Sequence, residues 1–284
     1  MLHPPNLMRH WLRHFARVQI MTGIVTVLLI VLWPVPSHGI TTLTARRTAQ
    51  EAIAQAARRA PLSVAPGIPR SAVKKTLALP TRILLQVPLI DQLPALYNGC
   101  EVTSLAMLLQ FEHINVTNLT LAAEVKRDPT PLVTNSEGDI VSWGNPNTGF
   151  VGSISGKEPG YGVYHGPIAA LLNRYMPGQA LDLTGSNLAT ILATVASGRP
   201  VIMWTTLNFQ PANDWITWQS PTGPVRATMT EHAVLFVGYD KTDAFVNDPL
   251  TGQLDAEPLA SFRTSWIDLG RQAVTVAPQP PKSN

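Results

Sequence analysis

The chain has 284 residues, of which 45% are hydrophobic and only 14% are charged, so it can bury a substantial core and is not a disordered polymer. The formal net charge of +3 is unevenly distributed. Residues 1–78 contain ten Lys/Arg and one acidic residue, whereas residues 79–284 contain eleven Lys/Arg and seventeen acidic residues. The acidic remainder excludes a basic nucleic-acid-binding core, and we expect no nucleic-acid partner.

The first 36 residues have the pattern of an export segment. Arg9, Arg13 and Arg17 precede an apolar run over residues 18–35, and a basic flank before an apolar run is typical of a signal peptide or a membrane anchor. The length of the run lies between the two, so both remain open. Either would place the rest of the chain outside the cytoplasm. We therefore predict an extracytoplasmic protein, membrane-anchored or secreted.

Two further segments flank a predicted folded domain. Residues 37–78 are rich in Pro, Ala and basic side chains, which predicts a linker that can contact an anionic membrane or the cell wall. Residues 279–284 predict a disordered tail. We expect the folded domain over residues 79–278, as a monomer.

Cys100 is the only cysteine, so no intramolecular disulfide can form. It follows the turn signal Asn98-Gly99, and from Val102 the apolar residues recur at helical spacing. Cys100 is thus predicted to begin a helix, where free backbone N–H groups and the helix dipole favour a thiolate and lower the thiol pKa. A reactive nucleophile is one interpretation, and a small buried residue is the other.

A thiolate nucleophile needs a base, and His232 is the strongest candidate. It lies near the start of a predicted strand rich in β-branched residues. The hairpin that follows would return Asn247 and Asp248 toward the start of that strand, so either side chain could orient the imidazole. Gln92, eight residues before Cys100, is a candidate side-chain donor to an oxyanion.

A segment rich in Gly, Pro and aromatic residues, 143–165, predicts a long loop over the site. Within it, Tyr161, Tyr164 and His165 are candidates for the substrate cleft, together with Trp204 from a later segment. The sequence has no metal-ligand spacing, phosphate loop or dinucleotide motif. We therefore expect neither a metal nor an organic cofactor.

Four blocks of sequence together resemble the C39-like cysteine peptidases, a papain-like group: Val87–Gln92, Gly99–Ser104, Glu231–Val234 and Val246–Pro249. The resemblance covers about residues 80–272. It implies a papain-like α+β fold, in which an N-terminal helix carries the nucleophile and packs on an antiparallel sheet. It also implies a role for four residues: Cys100 as nucleophile, His232 as base, Asp248 as orienting acid and Gln92 as oxyanion glutamine.

The residues and the resemblance together predict an exported or membrane-anchored cysteine peptidase that hydrolyses peptide bonds of peptides or proteins through a Cys-His-Asp triad. Three alternatives stay open. The first is a peptidoglycan stem-peptide hydrolase or transpeptidase with the same triad. The second is a catalytically inactive papain-like binding module, and the third is a structural surface protein whose cysteine is buried.

Overall fold

The structure is a computed structural model, and it describes residues 79–278. The predicted signal peptide or anchor (1–36), linker (37–78) and tail (279–284) lie outside the described residues and stay predictions. Within residues 79–278 there are five helices: α1 (Cys100–Phe111), α2 (Asn118–Glu124), α3 (His165–Tyr175), α4 (Leu188–Ala196) and α5 (Leu259–Asp268).

The strands of the described segment are β1 (Ile83–Leu84), β2 (Arg127–Asp128), β3 (Val133–Thr134), β4 (Ile140–Ser142), β5 (Phe150–Gly152), β6 (Gly160–Gly162), β7 (Ala180–Asp182), β8 (Val201–Thr206), β9 (Trp215–Ser220), β10 (Gly223–Thr228), β11 (Glu231–Tyr239), β12 (Asp243–Asp248), β13 (Gln253–Pro258) and β14 (Ala273–Val276). The predicted long loop over residues 143–165 is wrong in one respect, because it contains β5 and β6, which pair with each other.

The main sheet has seven strands in the order β13-β12-β11-β8-β14-β7, and β1 pairs with β11 beside this path. All of its pairings are antiparallel. The hairpin between β11 and β12 turns at Asp240, whose carboxylate accepts the backbone N–H groups of Thr242 and Asp243. The hairpin therefore returns the end of β12 toward the start of β11, as the sequence predicts.

Strand β11 separates two hydrophobic clusters. Its side chains alternate between the two faces of the sheet. Ala233 and Leu235 belong to the cluster that also contains Cys100, whereas Val234 and Phe236 belong to the cluster that contains Phe209. The buried strand therefore has apolar side chains on both faces, which explains its nearly continuous apolar sequence.

Helix α1 is the central helix of the first cluster. Every residue from Cys100 to Leu109 is buried, so this helix packs on several sides rather than along one stripe. Its contacts include β11 and β8, and Ser104 Oγ donates to the Ala233 carbonyl at 3.3 Å. The predicted α+β fold, with the helix that begins at Cys100 packed on an antiparallel sheet, is confirmed.

Two small sheets lie beside the main one, in the orders β10-β9-β4-β3 and β2-β5-β6. The Asp128 carboxylate stabilises the loop between them, because it accepts from Thr130, from the Asn145 backbone N–H and from Thr148 Oγ1. Burial alone would raise the pKa of Asp128, but these hydrogen bonds outweigh it and lower the pKa to about 2. Among residues 79–278, no helix is long and apolar enough to cross a membrane.

Candidate active site

Cys100 is the first residue of α1, as predicted, and it is 7% exposed. The preceding Gly99 sits against Leu96, because a Cβ at Gly99 would lie 2.5 Å from the Leu96 Cβ. Glycine thus lets the loop before the helix fold tightly against its own residues. The result is a sulfur at the N-terminus of a buried helix.

The surroundings of the thiol are acidic rather than basic. Burial raises the pKa of the Cys100 thiol well above its usual range, and the carboxyls of Glu101 and Glu231 raise it further. A hydrogen bond from the Ala233 backbone opposes this rise. The expected low thiol pKa is therefore wrong for this arrangement, because desolvation and two acidic neighbours outweigh the lowering by the Ala233 backbone.

Glu101 and Glu231 were not singled out by the sequence analysis, yet both lie at the thiol. One ligand atom from each of the two carboxyls and the Cys100 Sγ lie within 4.8 Å of one another. Glu101 Oε1 accepts the Val163 N–H at 2.6 Å. These three side chains are the described residues that could hold a metal ion. The only sequence signal was position, because each glutamate is adjacent to a residue of the predicted triad.

His232 and Asp248 form a buried pair. His232 Nε2 and Asp248 Oδ1 are 2.8 Å apart, and the two side chains are 2% and 3% exposed. Burial alone would raise the pKa of Asp248, but the hydrogen bond and the charge of His232, with the backbone N–H groups of Leu250 and Thr251, lower it. Of the two candidates for this contact, Asp248 is the one that meets the ring.

His232 lies on β11, and Cys100 lies beside the next residue of that strand, Ala233. The thiol contacts the Ala233 backbone, while the His232 ring lies toward the second cluster, with its centroid 6.4 Å from that of Phe209. Among residues 79–278 no hydrogen bond joins the thiol to His232, whose Nε2 is held by Asp248. The structure thus joins His232 to Asp248 and places Cys100 beside the same stretch of strand.

Gln92 and Asn247 both anchor the segment that precedes α1. The Gln92 side-chain amide donates to the Tyr97 carbonyl at 2.9 Å, and its backbone N–H donates to the Pro249 carbonyl at 2.9 Å. The Asn247 amide donates to the carbonyls of Val87 and Pro88. These bonds tie the loop before Cys100 to the end of β12, where Asp248 lies.

The four cleft candidates occupy different positions. The hydroxyls of Tyr161 and Tyr164 bond each other at 2.7 Å, and both side chains are buried near the two glutamates. Trp204 is fully buried and donates to the Val163 carbonyl, so it belongs to the core rather than to an open cleft. His165 begins α3 and pairs with Asp182 of β7 at 2.6 Å, in a partly exposed position.

Comparison with known proteins agrees with this architecture. The family model described as "Peptidase_C39 like family" matches residues 84–274. YvpB of Bacillus subtilis (strain 168), an uncharacterized protein, is 39% identical over 194 residues, which cover 68% of this chain and 75% of YvpB. A crystal structure from Bacillus anthracis, assigned as a C39-like peptidase, has a TM-score of 0.64 and 39% identity, and the match covers 70% of this chain and 98% of that one. The fold is therefore papain-like, and the chain belongs to the Peptidase_C39 like family.

Proposed function

We propose that this protein is a cysteine peptidase, in which Cys100 attacks the peptide carbonyl, His232 transfers protons and Asp248 orients His232. The observation that carries the proposal is the buried His232–Asp248 hydrogen bond, one residue along β11 from the backbone that contacts the thiol. Membership of a family named for peptidases supports the reaction class.

The mechanism requires the thiol proton to reach His232. No hydrogen bond within residues 79–278 uses His232 Nδ1, whereas Nε2 is held by Asp248. The ring lies toward the second cluster, so it must turn toward Cys100 before Nδ1 can take the thiol proton. The thiol must first leave its contact with Glu101, and such catalytic contacts often tighten only when substrate binds. The buried Asp248 carboxylate then stabilises the imidazolium that forms.

The subsequent steps are those of acyl transfer. The thiolate adds to the carbonyl carbon, His232 protonates the leaving amine, and water hydrolyses the resulting thioester. The backbone N–H of Cys100, at the start of α1, is one donor for the oxyanion. Gln92 is the second, because its amide has two hydrogens and the Tyr97 carbonyl accepts only one of them.

We further propose that the enzyme acts outside the cytoplasm on peptides or proteins. The support is the basic flank and apolar run within residues 1–36, followed by the basic segment of residues 37–78, which suits contact with an anionic membrane or the cell wall. An acidic body on a basic tether would keep the peptidase domain near such a surface without itself binding to it.

The test is cleavage of a mixed peptide library by the full chain, read by mass spectrometry. We expect Cys100→Ala to abolish cleavage and His232→Ala to reduce its rate by about 10²–10⁴-fold. A matched control is His113→Asn, which lies beyond the far end of α1 at φ 64°, a backbone conformation that asparagine tolerates. This control should cleave like the wild type.

A parallel incubation with purified peptidoglycan separates the two enzyme functions. Release of stem peptides without cleavage of the library would redirect the proposal to a peptidoglycan hydrolase. Cleavage that survives in Cys100→Ala would refute the thiol mechanism. Failure of the wild type to cut either substrate would favour a catalytically inactive binding module.

A further inference from the structure

The two glutamates at the thiol lack the partners that buried acids need. Glu101 is fully buried and Glu231 is 8% exposed, and within residues 79–278 neither makes an ion pair with a lysine or arginine. Glu101 Oε2 and Glu231 Oε1 are buried without any hydrogen-bond partner in the part of the chain that the structure describes. A buried, unpaired carboxylate is costly, and two of them side by side are costlier still, since like charges in a dry site cannot both persist.

The backbone makes room for this pair at one glycine. Gly162 of β6 has φ +148°, and a Cβ built there would collide with Glu101 Oε1 and lie 3.0 Å from Glu231 Oε2. The two carboxyls therefore converge on the same small space from α1 and from β11. Glu101 Oε1 already accepts the Val163 N–H, which fixes that carboxyl and leaves its other oxygen for a shared proton.

We propose that Glu101 and Glu231 form a carboxyl pair that shares one proton and, through its remaining negative charge, holds the Cys100 thiol in its protonated form. The pair is thus a positioning and tuning device for the nucleophile rather than a catalytic group. The role of the pair in catalysis rests on the proposed peptidase function. In that enzyme, the pair sets the pH at which the Cys100 thiol becomes reactive.

The groups that face the pair support this assignment. Besides Cys100, they are the phenols of Tyr161 and Tyr164, which are buried and bonded to each other. His232 is adjacent to Glu231 in β11, but its ring lies toward Phe209 in the second cluster. Burial raises the pKa of Glu101 to about 7, and burial together with the charge of Glu101 raises the pKa of Glu231. The Cys100 Sγ lies within 4.8 Å of one oxygen from each carboxyl, close enough for a negative charge on the pair to favour the protonated sulfur.

Alkylation of the thiol by iodoacetamide tests the proposal directly. The chain has one cysteine, so the pH dependence of the alkylation rate reports the Cys100 thiolate alone. We expect the double variant Glu101→Gln/Glu231→Gln, which removes the charge of the pair, to lower the midpoint by about one pH unit, which gives roughly tenfold faster alkylation at pH 7. Either single variant leaves one carboxylate beside the thiol and should shift the midpoint less. Glu112→Gln, just beyond the other end of α1, is the matched control and should not shift it.

The assay is run on the full chain with EDTA present, because a divalent cation could bind the same three side chains. An unchanged or raised midpoint in the double variant Glu101→Gln/Glu231→Gln would overturn the proposal. Should the variants fail to fold, infrared spectra of the wild type decide instead. We expect a protonated buried carboxyl that persists at pH 6, well above the range of exposed carboxyls, and full ionisation of all carboxyls at pH 6 would refute it.

These measurements need no substrate, so their outcome is separate from that of the cleavage assay. A shifted midpoint in an inactive protein would leave the carboxyl pair established and the peptidase proposal refuted. Peptide cleavage together with an unshifted midpoint would support the peptidase proposal and refute the carboxyl pair.

Discussion

Two histidine–aspartate pairs in this fold differ mainly in burial, which makes them a matched test of the site. His232 Nε2 and Asp248 Oδ1 lie 2.8 Å apart with side chains 2% and 3% exposed, whereas His165 Nδ1 and Asp182 Oδ2 lie 2.6 Å apart with side chains 27% and 37% exposed. We expect Asp248→Ala to destabilise the protein far more than Asp182→Ala.

The magnitudes follow from what each change leaves behind. Asp248→Ala strands His232 Nε2 in a buried site and removes the acceptor of the Leu250 N–H, so it should cost about 3–5 kcal/mol. Asp182→Ala removes a solvent-screened pair and an acceptor for the Thr184 N–H, and it should cost about 1 kcal/mol. Asp248→Asn keeps an oxygen that can accept both bonds and loses only the charge, at about 1–2 kcal/mol.

The pH dependence has a definite sign. The pKa of folded Asp248 is lowered, because the bonds from His232 and the backbone outweigh its burial. Its stabilising contribution is therefore fully present above the unfolded pKa of about 3.9 and is lost as pH falls through the lower folded value. Asp248→Asn has no such carboxyl, so its stability should fall less steeply in acid than that of the wild type.

Urea unfolding of the full chain measures these differences, with equal m-values as the check that the unfolding transition is comparable. The measurements are made at pH 7 and again in the acid range. Equal destabilisation by Asp248→Ala and Asp182→Ala would refute the reasoning, since burial would then not control the strength of the pair. An acid profile of Asp248→Asn that coincides with the wild type would refute the charge argument.

Three further predictions test other parts of the structure. Gly238→Ala should destabilise the protein by about 1–3 kcal/mol, because its Cβ would strike the Ile83 carbonyl and lie 2.9 Å from Leu84 Cα of β1. Gly166→Ala, whose Cβ would meet only Asn147 O at 3.9 Å, should be neutral or stabilising by up to about 1 kcal/mol. Urea unfolding measures both, and equal losses of stability would contradict this prediction. Trp204→Phe should lower the free energy of unfolding by about 2–4 kcal/mol, because it removes the hydrogen bond to Val163 O and leaves a small cavity. Trp215 is only half-buried, so Trp215→Phe should lower it less. The reverse order would contradict the burial argument. Gln92→Ala should lower kcat about 10²–10³-fold with little change in KM if Gln92 donates to the oxyanion, and an unchanged kcat would exclude that role.

The local features of the site were predictable because they depend on short stretches of sequence. Asn98-Gly99 followed by helical spacing indicated that Cys100 begins a helix, and the structure has it there. The hairpin between β11 and β12 likewise indicated that its second strand ends near His232. The hairpin pattern did not show whether Asn247 or Asp248 contacts His232. Adjacent strand residues point to opposite faces, so only the observed register decides between them.

The properties that depend on distant packing could not be predicted. The thiol pKa follows from desolvation and from Glu231, which is far from Cys100 in the sequence and reaches it only when α1 packs on β11. Trp204 was a cleft candidate because, with Trp215 and Trp218, it could form a ridge beside His232. Its complete burial results from β8 lying between β11 and β14 in the sheet, with packed clusters on both faces.

The place of β14 in the main sheet has a consequence for how the protein folds. This strand, the last of the described segment, lies between β8 and β7 rather than at an edge. During synthesis, β7 and β8 therefore lack their common neighbour until residues 273–276 have left the ribosome, and their unpaired edges stay open to wrong partners until then. Folding of the domain is thus expected to complete after translation rather than to proceed strand by strand. A truncation that removes these four residues should leave a sheet divided in two.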